Sequence, residues 1–330
     1  MMTKICIVGA GAIGGFLGAR LAASGQAAVS ALARGKTLAA LRTHGWRLRT
    51  VDGLLQASVQ ASDCAAELGP QDLVIIAVKG PAMAQVAQQI GPLLGPQTVV
   101  LPAMNGVPWW FAHGIDAIGD APLESVDPGG RIAETINHHR VVGCVVHAST
   151  SMPEPGLVLH KMGRGLIVGE PSGGSSERTE RIARLLQAAG FEATLSSNIR
   201  KDIWYKLWGN LTMNPVSALT GATIDRIHAD PLVKAFCSAA MVEASRIGEA
   251  LGCRIEQSPE DRHQVTAKLG AFKTSMLQDA EARRDIELNG IVGAVWELGR
   301  RLDISTPNVD TLLGLTRLFA RVHGLYPEAV

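Results

Sequence analysis

The chain has almost no net charge: 31 Lys and Arg stand against 30 Asp and Glu, leaving +1. It therefore lacks the basic field on which nucleic-acid binding runs, and nucleic acid is not an expected partner. Cysteine is sparse as well. Cys6, Cys64, Cys144, Cys237 and Cys253 stand far apart, with no CxxC pair and an odd total, so neither a disulfide framework nor a zinc site is suggested and no metal is expected. They read as buried thiols in a reducing compartment, the cytoplasm. Long apolar runs are missing too. The longest, around Leu73 to Val78, is strand-sized, whereas a membrane span needs about 18 residues or more. Residues 4 to 24 carry the outline of a signal peptide, with Lys4 ahead of an apolar stretch ending in small residues, but the glycines between Gly9 and Gly25 and the interrupting Arg20 spoil its apolar core.

What is present is the composition of a compact protein: 47% apolar and 18% charged residues, with 36 glycines and 16 prolines, too apolar for a disordered chain. At about 150 residues per domain, the 330 residues make about two domains. The first half alternates short β-branched runs with helical spacing. Strands are expected at Ile5 to Val8, Ala28 to Leu32, Leu73 to Val78, Thr98 to Leu101 and Val141 to His147, and helices at Ile13 to Ala23 and Pro81 to Ile90. That alternation implies a parallel sheet with crossover helices. Leu157 to His160 and Leu166 to Val168 look like a hairpin, followed by a helix over Glu177 to Ala189 and a strand over Glu192 to Leu195. From Ile199 onward the β-branched runs vanish and helical periodicity takes over: Asp202 to Leu219, Pro231 to Leu251, Pro259 to Ala271, Ile286 to Leu302 and Asn308 to Val322. The expected division is an α/β domain over 1–197 and an all-α domain over 198–330.

Gly9-Ala10-Gly11-Ala12-Ile13-Gly14 follows the first expected strand and opens the first expected helix. Glycines there let the turn tighten and the backbone approach a pyrophosphate, whose charge then rests on the helix N-terminus. In that context the motif reads as dinucleotide binding rather than a merely tight turn. NAD sites usually carry an acid at the end of the second strand, but this chain reads Ser30-Ala-Leu-Ala-Arg34-Gly-Lys36-Thr37. Arg34 and Lys36 suit a 2′-phosphate and favour NADP(H), the alternative being two solvated loop cations. Lys79 and Asn105-Gly106 follow later strands, where α/β sheets line their ligand crevice; by position alone each is equally an ordinary loop residue.

The sharpest signal is Lys206, Asn210 and Asn214, spaced four apart on an otherwise apolar helix. One ammonium and two amides then share a face about 12 Å long. Such a stripe either meets a cleft or is an exposed edge, and two asparagines favour the cleft. Glu287 opens an apolar helix, where a carboxylate also suits the helix dipole. The apolar helices after Pro231 and Pro307 read as core and subunit interface, compatible with a homodimer.

Taken in order, Gly9 to Gly14, Lys79, Asn105-Gly106, His147-Ala148, Lys206/Asn210/Asn214-Pro215, Ser275-Met-Leu-Gln-Asp279 and Glu287 resemble the ketopantoate reductases (2-dehydropantoate 2-reductases) over essentially the full chain. The resemblance implies a Rossmann-like first domain and a helical second domain, with NADPH and a 2-oxo acid bound in the cleft between them. Lys206 would then be the catalytic lysine, with Asn210, Asn214 and Ser275 contacting substrate and Glu287 holding the substrate hydroxyl or orienting Lys206. Asn105 would lie at the nicotinamide and substrate side, and Ala148 with Lys79 on the cofactor path. Two departures bear on the substrate. The segment from Trp109-Trp110-Phe111 through Asp127-Pro128-Gly129-Gly130 is longer than compact members need, and Gly270 to Thr274 differs from the usual neighbours of Ser275. Trp109 and Trp110 either receive a bulkier, aromatic oxo acid or plug the long loop. A non-catalytic NADPH sensor is the third reading. A hinge near Ser197 to Arg200 would give ordered binding, cofactor first.

Overall fold

The computed structural model describes residues 2–327. Contacts group the chain into two compact units, Met1–Met104 with Arg131–Asp202, and Asn105–Gly130 with Ile203–Val330. The sequence placed a single cut at 197/198. The contacts instead end the first unit at Asp202 and set 105–130 among the helices of the second. The reason is apolar: Phe111, fully buried, stacks on Trp204 with ring centres 5.9 Å apart.

The first unit contains β1 (Thr3–Val8), α1 (Ala12–Ala23), β2 (Ala27–Leu32), α2 (Gly35–His44), β3 (Trp46–Thr50), β4 (Gly53–Ala57), β5 (Gln60–Ser62), α3 (Ala65–Leu68), β6 (Gln71–Ile76), α4 (Met83–Gln89), β7 (Leu94–Pro102), α5 (Arg131–Thr135), β8 (Gly143–Glu154), β9 (Leu157–Gly169), α6 (Glu177–Ala188) and β10 (Glu192–Leu195). One sheet runs β5-β2-β1-β6-β7 with every pairing parallel. Ile5 to Val8 and Leu73 to Ile76 are continuous buried runs, as strands covered on both faces require. The order reverses at β1, so the crevice beyond the carboxyl ends of β1 and β6 is the topological switch point where such sheets bind ligands.

A second sheet, β10-β9-β3-β4 with β8 beside β9, gathers the expected strands at Val141 to His147, Leu157 to His160, Leu166 to Val168 and Glu192 to Leu195 with β3 and β4, which the sequence reading did not contain. The expected hairpin of Leu157 to His160 with Leu166 to Val168 is instead one strand, β9, and its hairpin partner is β8. Pairing with β8 continues, with register shifts, through His160 and Met162 in the polar middle of β9, where local hydropathy suggests a break. The β3–β4 hairpin was missed because its strands carry arginine and glutamine on their open face, although Asp52-Gly53 is a turn signal. Between the sheets runs α1, whose glycines are a packing device. A Cβ on Gly15 would stand 2.6 Å from Val158 of β9, and one on Gly18 would stand 2.5 Å from the Trp46 ring of β3. Four of the five cysteines are buried as expected, and burial pushes the Cys6 and Cys237 thiols up to about 11; Cys64 is exposed, because it stands at the N-terminus of the short α3.

The chain passes from one unit to the other within α7 (Ile199–Thr220), and the second unit continues with α8 (Ile224–Ala229), α9 (Pro231–Ala250), α10 (Pro259–Ala267), α11 (Ser275–Glu281), a π-helical turn (Asn289–Gly293) leading into α12 (Ala294–Arg301), and α13 (Pro307–Val322). Its described residues include no strand, which agrees with the all-α expectation. Helices α10 and α13 start at Ser258-Pro259 and Thr306-Pro307. Ser258 caps α10, whereas Thr306 turns to Asp310 and the buried Glu243 carboxylate of α9 caps α13 through the backbone N–H groups of Asn308 and Val309 at 3.0 and 2.9 Å. No helix among the described residues is long and apolar enough to cross a membrane.

Candidate active site

The candidate residues fall into two groups, one in each unit. In the first unit, β1 ends at Val8 and the chain turns through Gly9, whose φ of +89° strongly favours glycine. A Cβ there would also meet Val78 at 2.5 Å, and one on Gly14 would lie 1.9 Å from the Gly9 carbonyl oxygen. Gly11 differs: a Cβ at that position would meet nothing within 4 Å. It is the N-cap of α1, with no side-chain cap and no acid in the first turn. Gly9 and Gly14 are thus held by the fold, while the space above Gly11 lies at the open, donor-rich end of a twelve-residue helix. Ala10, Ala12 and Ile13 complete a loop that fits a dinucleotide diphosphate and offers its charge nothing repulsive.

Arg34 and Lys36 are both exposed at the start of α2, and Arg34 Nη1 donates to Gln85 Oε1 at 2.7 Å. Lys79 is half-buried just past β6. Ala148 lies in β8 where the register with β9 slips between His147 and Ser149.

In the second unit, α7 is anchored by two tryptophans on its buried side. Trp204 Nε1 donates to the Ala244 carbonyl at 3.2 Å and Trp208 Nε1 to the Met241 carbonyl at 2.8 Å, both on α9. A Cβ on Gly248 would stand 2.2 Å from Trp204 Nε1, so a glycine there admits the ring. The other side carries the polar stripe: Lys206 and Asn210 are half-buried, and Asn214 is 5% exposed. An exposed edge would not bury its last amide. Lys206 Nζ donates to Asn105 Oδ1 at 2.7 Å. Asn105 is itself fixed from behind. Gly106 has φ +81°, a Cβ on it would lie 2.5 Å from the Gly290 carbonyl oxygen, and the Val107 N–H donates to that oxygen at 2.8 Å.

Gly290 sits in the π-helical turn, where the expected helix over Ile286 to Leu302 departs from regularity: helix begins at Leu288 and widens over Asn289–Gly293. Such turns are frequent at functional sites. Sequence reading missed Gly290; the Asn289-Gly290 pair inside a helical pattern was the available signal. Glu287 stands half-buried immediately ahead of this helix, and Ser275 is the exposed first residue of α11, after Thr274, which caps Leu277. Lys206–Asn105 joins two expected site residues; Asn210, Asn214 and Ser275 hold their places without side-chain bonds to one another among the described residues. Trp109 and Trp110, at 5% and 2% exposure, are core residues beside Phe111. This corrects the idea that they receive an aromatic substrate: they plug the long loop.

Two sequence profiles match the chain, one described as ketopantoate reductase PanE/ApbA over residues 5–173 and one as its C-terminal part over 198–320. A protein named 2-dehydropantoate 2-reductase from Mesorhizobium japonicum is 44% identical over 324 residues, covering 98% of this chain and 99% of its own. A crystal structure from Ralstonia solanacearum MolK2, provisionally named a ketopantoate reductase, is 54% identical with a TM-score of 0.95, covering 99% of this chain and 100% of that one. A PanE/ApbA family ketopantoate reductase from Ralstonia eutropha JMP134 is 26% identical with a TM-score of 0.83, covering 98% and 100%.

Proposed function

The chain belongs to the ketopantoate reductase PanE/ApbA family, and from that premise we propose that it reduces 2-dehydropantoate to pantoate with NADPH. The observation that carries the reading is the hydrogen bond from Lys206 Nζ to Asn105 Oδ1, made by a lysine on a helix fastened through two tryptophans. Reduction of a ketone to an alcohol needs a hydride on the carbonyl carbon and a proton on the carbonyl oxygen. When bound, the reduced nicotinamide supplies the hydride. Lys206 supplies the proton: its ammonium holds the carbonyl oxygen, stabilises negative charge as it develops, and transfers a proton to the alkoxide. Asn105 accepts one ammonium N–H and so restricts where the others point; it also borders the nicotinamide. Asn210, Asn214 and Ser275 hold the polar groups of the substrate, and Glu287 takes its hydroxyl or orients Lys206. Positioning of this kind is what lowers the barrier.

Gly9, Ala10, Gly11, Ala12, Ile13 and Gly14 hold the diphosphate, Lys79 and Ala148 border the cofactor, and Arg34 with Lys36 takes the 2′-phosphate. Two charge-assisted hydrogen bonds there are worth about 2–4 kcal/mol, or roughly 30- to 900-fold in affinity for NADPH over NADH. The reading includes a cytoplasmic enzyme and a homodimer. The homodimer is supported by Leu315, Leu318 and Val322, which leave an exposed apolar stripe on α13.

Steady-state assays with 2-dehydropantoate test the proposal. The wild type should turn over with NADPH and bind NADH far more weakly. Lys206→Ala should lose about 10²- to 10⁴-fold in kcat while keeping its NADPH affinity. Turnover close to wild type in Lys206→Ala would remove the lysine's role, and equal affinities for the two cofactors would remove that of Arg34 and Lys36.

A further inference from the structure

Arg262, on α10, lies flat against the helix that carries Lys206. A Cβ built on Gly209 of α7 would stand 2.5 Å from Arg262 Nη2, 2.6 Å from Nε and 2.9 Å from Cζ, so a glycine at 209 is what admits the guanidinium. One turn earlier on α7, Tyr205 offers its ring, 4.7 Å from the guanidinium carbon, and its hydroxyl oxygen accepts from Nη1 at 3.2 Å. The Tyr205 O–H in turn donates to Gln257 Oε1 at 2.8 Å. The cation is thus held in place by neutral groups.

Its charge has no counter-ion among the described residues. The two acids beside it on α10 are engaged elsewhere: Asp261 accepts from the backbone and hydroxyl of Ser258, and Glu260 pairs with Lys234 at 2.9 Å. Among the described residues no carboxylate stands at ion-pair distance from Arg262, and its Nε is buried without a hydrogen-bond partner. A guanidinium in that state is poised for an anion.

Gly209 and Lys206 are three residues apart on one helix, so their side-chain positions are neighbours about 5–6 Å apart. The guanidinium fills the place of a side chain at 209 and therefore neighbours the lysine. In a 2-oxo acid the carboxylate carbon is bonded directly to the carbonyl carbon, so a molecule whose ketone oxygen meets Lys206 presents its carboxylate a few ångströms away. We propose that Arg262, admitted by Gly209, binds the substrate carboxylate and makes the enzyme selective for acids over their neutral esters. This rests on the reductase reading above and assigns the anion anchor that reading leaves open.

The test compares 2-dehydropantoate with its lactone, the neutral internal ester of the same molecule, as substrates with NADPH, and titrates pantoate and pantoyl lactone calorimetrically into the NADP⁺-loaded enzyme. Arg262→Met should raise KM for the acid roughly 10- to 100-fold with little change in kcat, and should leave the lactone unaffected. Pantoate affinity should fall by a similar factor. Arg262→Lys should recover part of the loss, since it restores charge without the fork. Gly209→Ala, which keeps the charge and displaces it, should behave like Arg262→Met. An unchanged acid-to-lactone ratio in Arg262→Met and Gly209→Ala, or an equal loss on both substrates, would overturn the assignment and leave Arg262 a clasp between α7 and α10. Failure of the wild type itself to reduce the acid would instead bring down the reductase reading.

Discussion

In the first unit the ligand-directed chemistry proposed for the protein resides in the backbone of one contiguous turn, Gly9 to Gly14. In the second it resides in a side chain, Lys206, whose acceptor Asn105 stands 101 residues away in sequence. The backbone loop depends on atoms that are missing, since each glycine there is defined by what a Cβ would strike or leave open. The lysine depends on atoms that are present and held: the tryptophans under α7, the carbonyl of Gly290 under the Asn105 turn, and the amide oxygen that accepts its hydrogen bond. A contiguous device tolerates only changes that spare its shape, whereas a dispersed one is damaged through any of its supports.

The contrast is broken most severely by adding single methyl groups. Gly14→Ala places a Cβ 1.9 Å from a backbone oxygen that has nowhere to go, so a loss of about 3 kcal/mol or more of stability is expected, seen as a large fall in Tm. Gly11→Ala meets nothing within 4 Å. It should fold with stability within about 1 kcal/mol of wild type, yet bind NADPH at least about 10-fold more weakly, because the new methyl stands in the space given to the diphosphate. Thermal melts paired with cofactor titrations decide it. A Gly11→Ala protein with unchanged affinity, or a Gly14→Ala protein with unchanged Tm, would show that the loop is not built as described.

This difference also explains what the sequence disclosed. The parallel sheet, α1 and the glycine turn were legible because their signals are local: continuous apolar strands, a motif between strand and helix, an absent acid after β2. The α7 stripe was legible from its spacing of four. The second sheet was not, since β3 and β4 bury alternate residues on one side only and β9 pairs not only with its neighbour β8 but also with β10 and with β3, about 110 residues earlier in the chain. The π-helical turn and the place of Arg262 against Gly209 escaped for a similar reason. In each, a glycine makes room for a segment remote in sequence: Gly106 for the Gly290 carbonyl and Gly209 for Arg262. Ser275 and Glu287 drew their expected roles from family resemblance, because an exposed serine at a helix start and a carboxylate ahead of a helix are ordinary by themselves.

The dispersed device is sharpened by removing its acceptor. Asn105→Ala should lower kcat about 10- to 100-fold, the worth of one hydrogen bond to a charged group. The decisive measurement is the double variant. If Asn105 acts through Lys206, then Asn105→Ala/Lys206→Ala should be no slower than Lys206→Ala alone. Losses that multiply would mean that the amide works on its own and that the 2.7 Å bond is incidental.

Acid gives the smallest effect and separates the units by a different route, because Gly9 to Gly14 carries no titratable side chain whereas the second unit buries a histidine, His263. His263 is 2% exposed on α10, its Nε2 hydrogen-bonded to Ser238 Oγ of α9 at 2.9 Å, and its ring stands 5.0 Å from that of His228 on α8. Burial pushes its pKa down to about 4, helped by the positive charges of His228 and Lys234 and opposed by Glu260. The folded protein therefore resists a proton that the unfolded chain accepts near 6.5. Between those values the unfolded state binds more protons, so stability is full above about 6.5 and is lost as the pH falls toward 4. A decrease on the order of 1 kcal/mol between pH 7 and 5 is expected, read as a fall in the urea midpoint. His263→Gln should flatten that dependence without altering turnover at pH 7. A variant that keeps the wild-type slope would assign the acid sensitivity to other groups and remove this distinction between the two units.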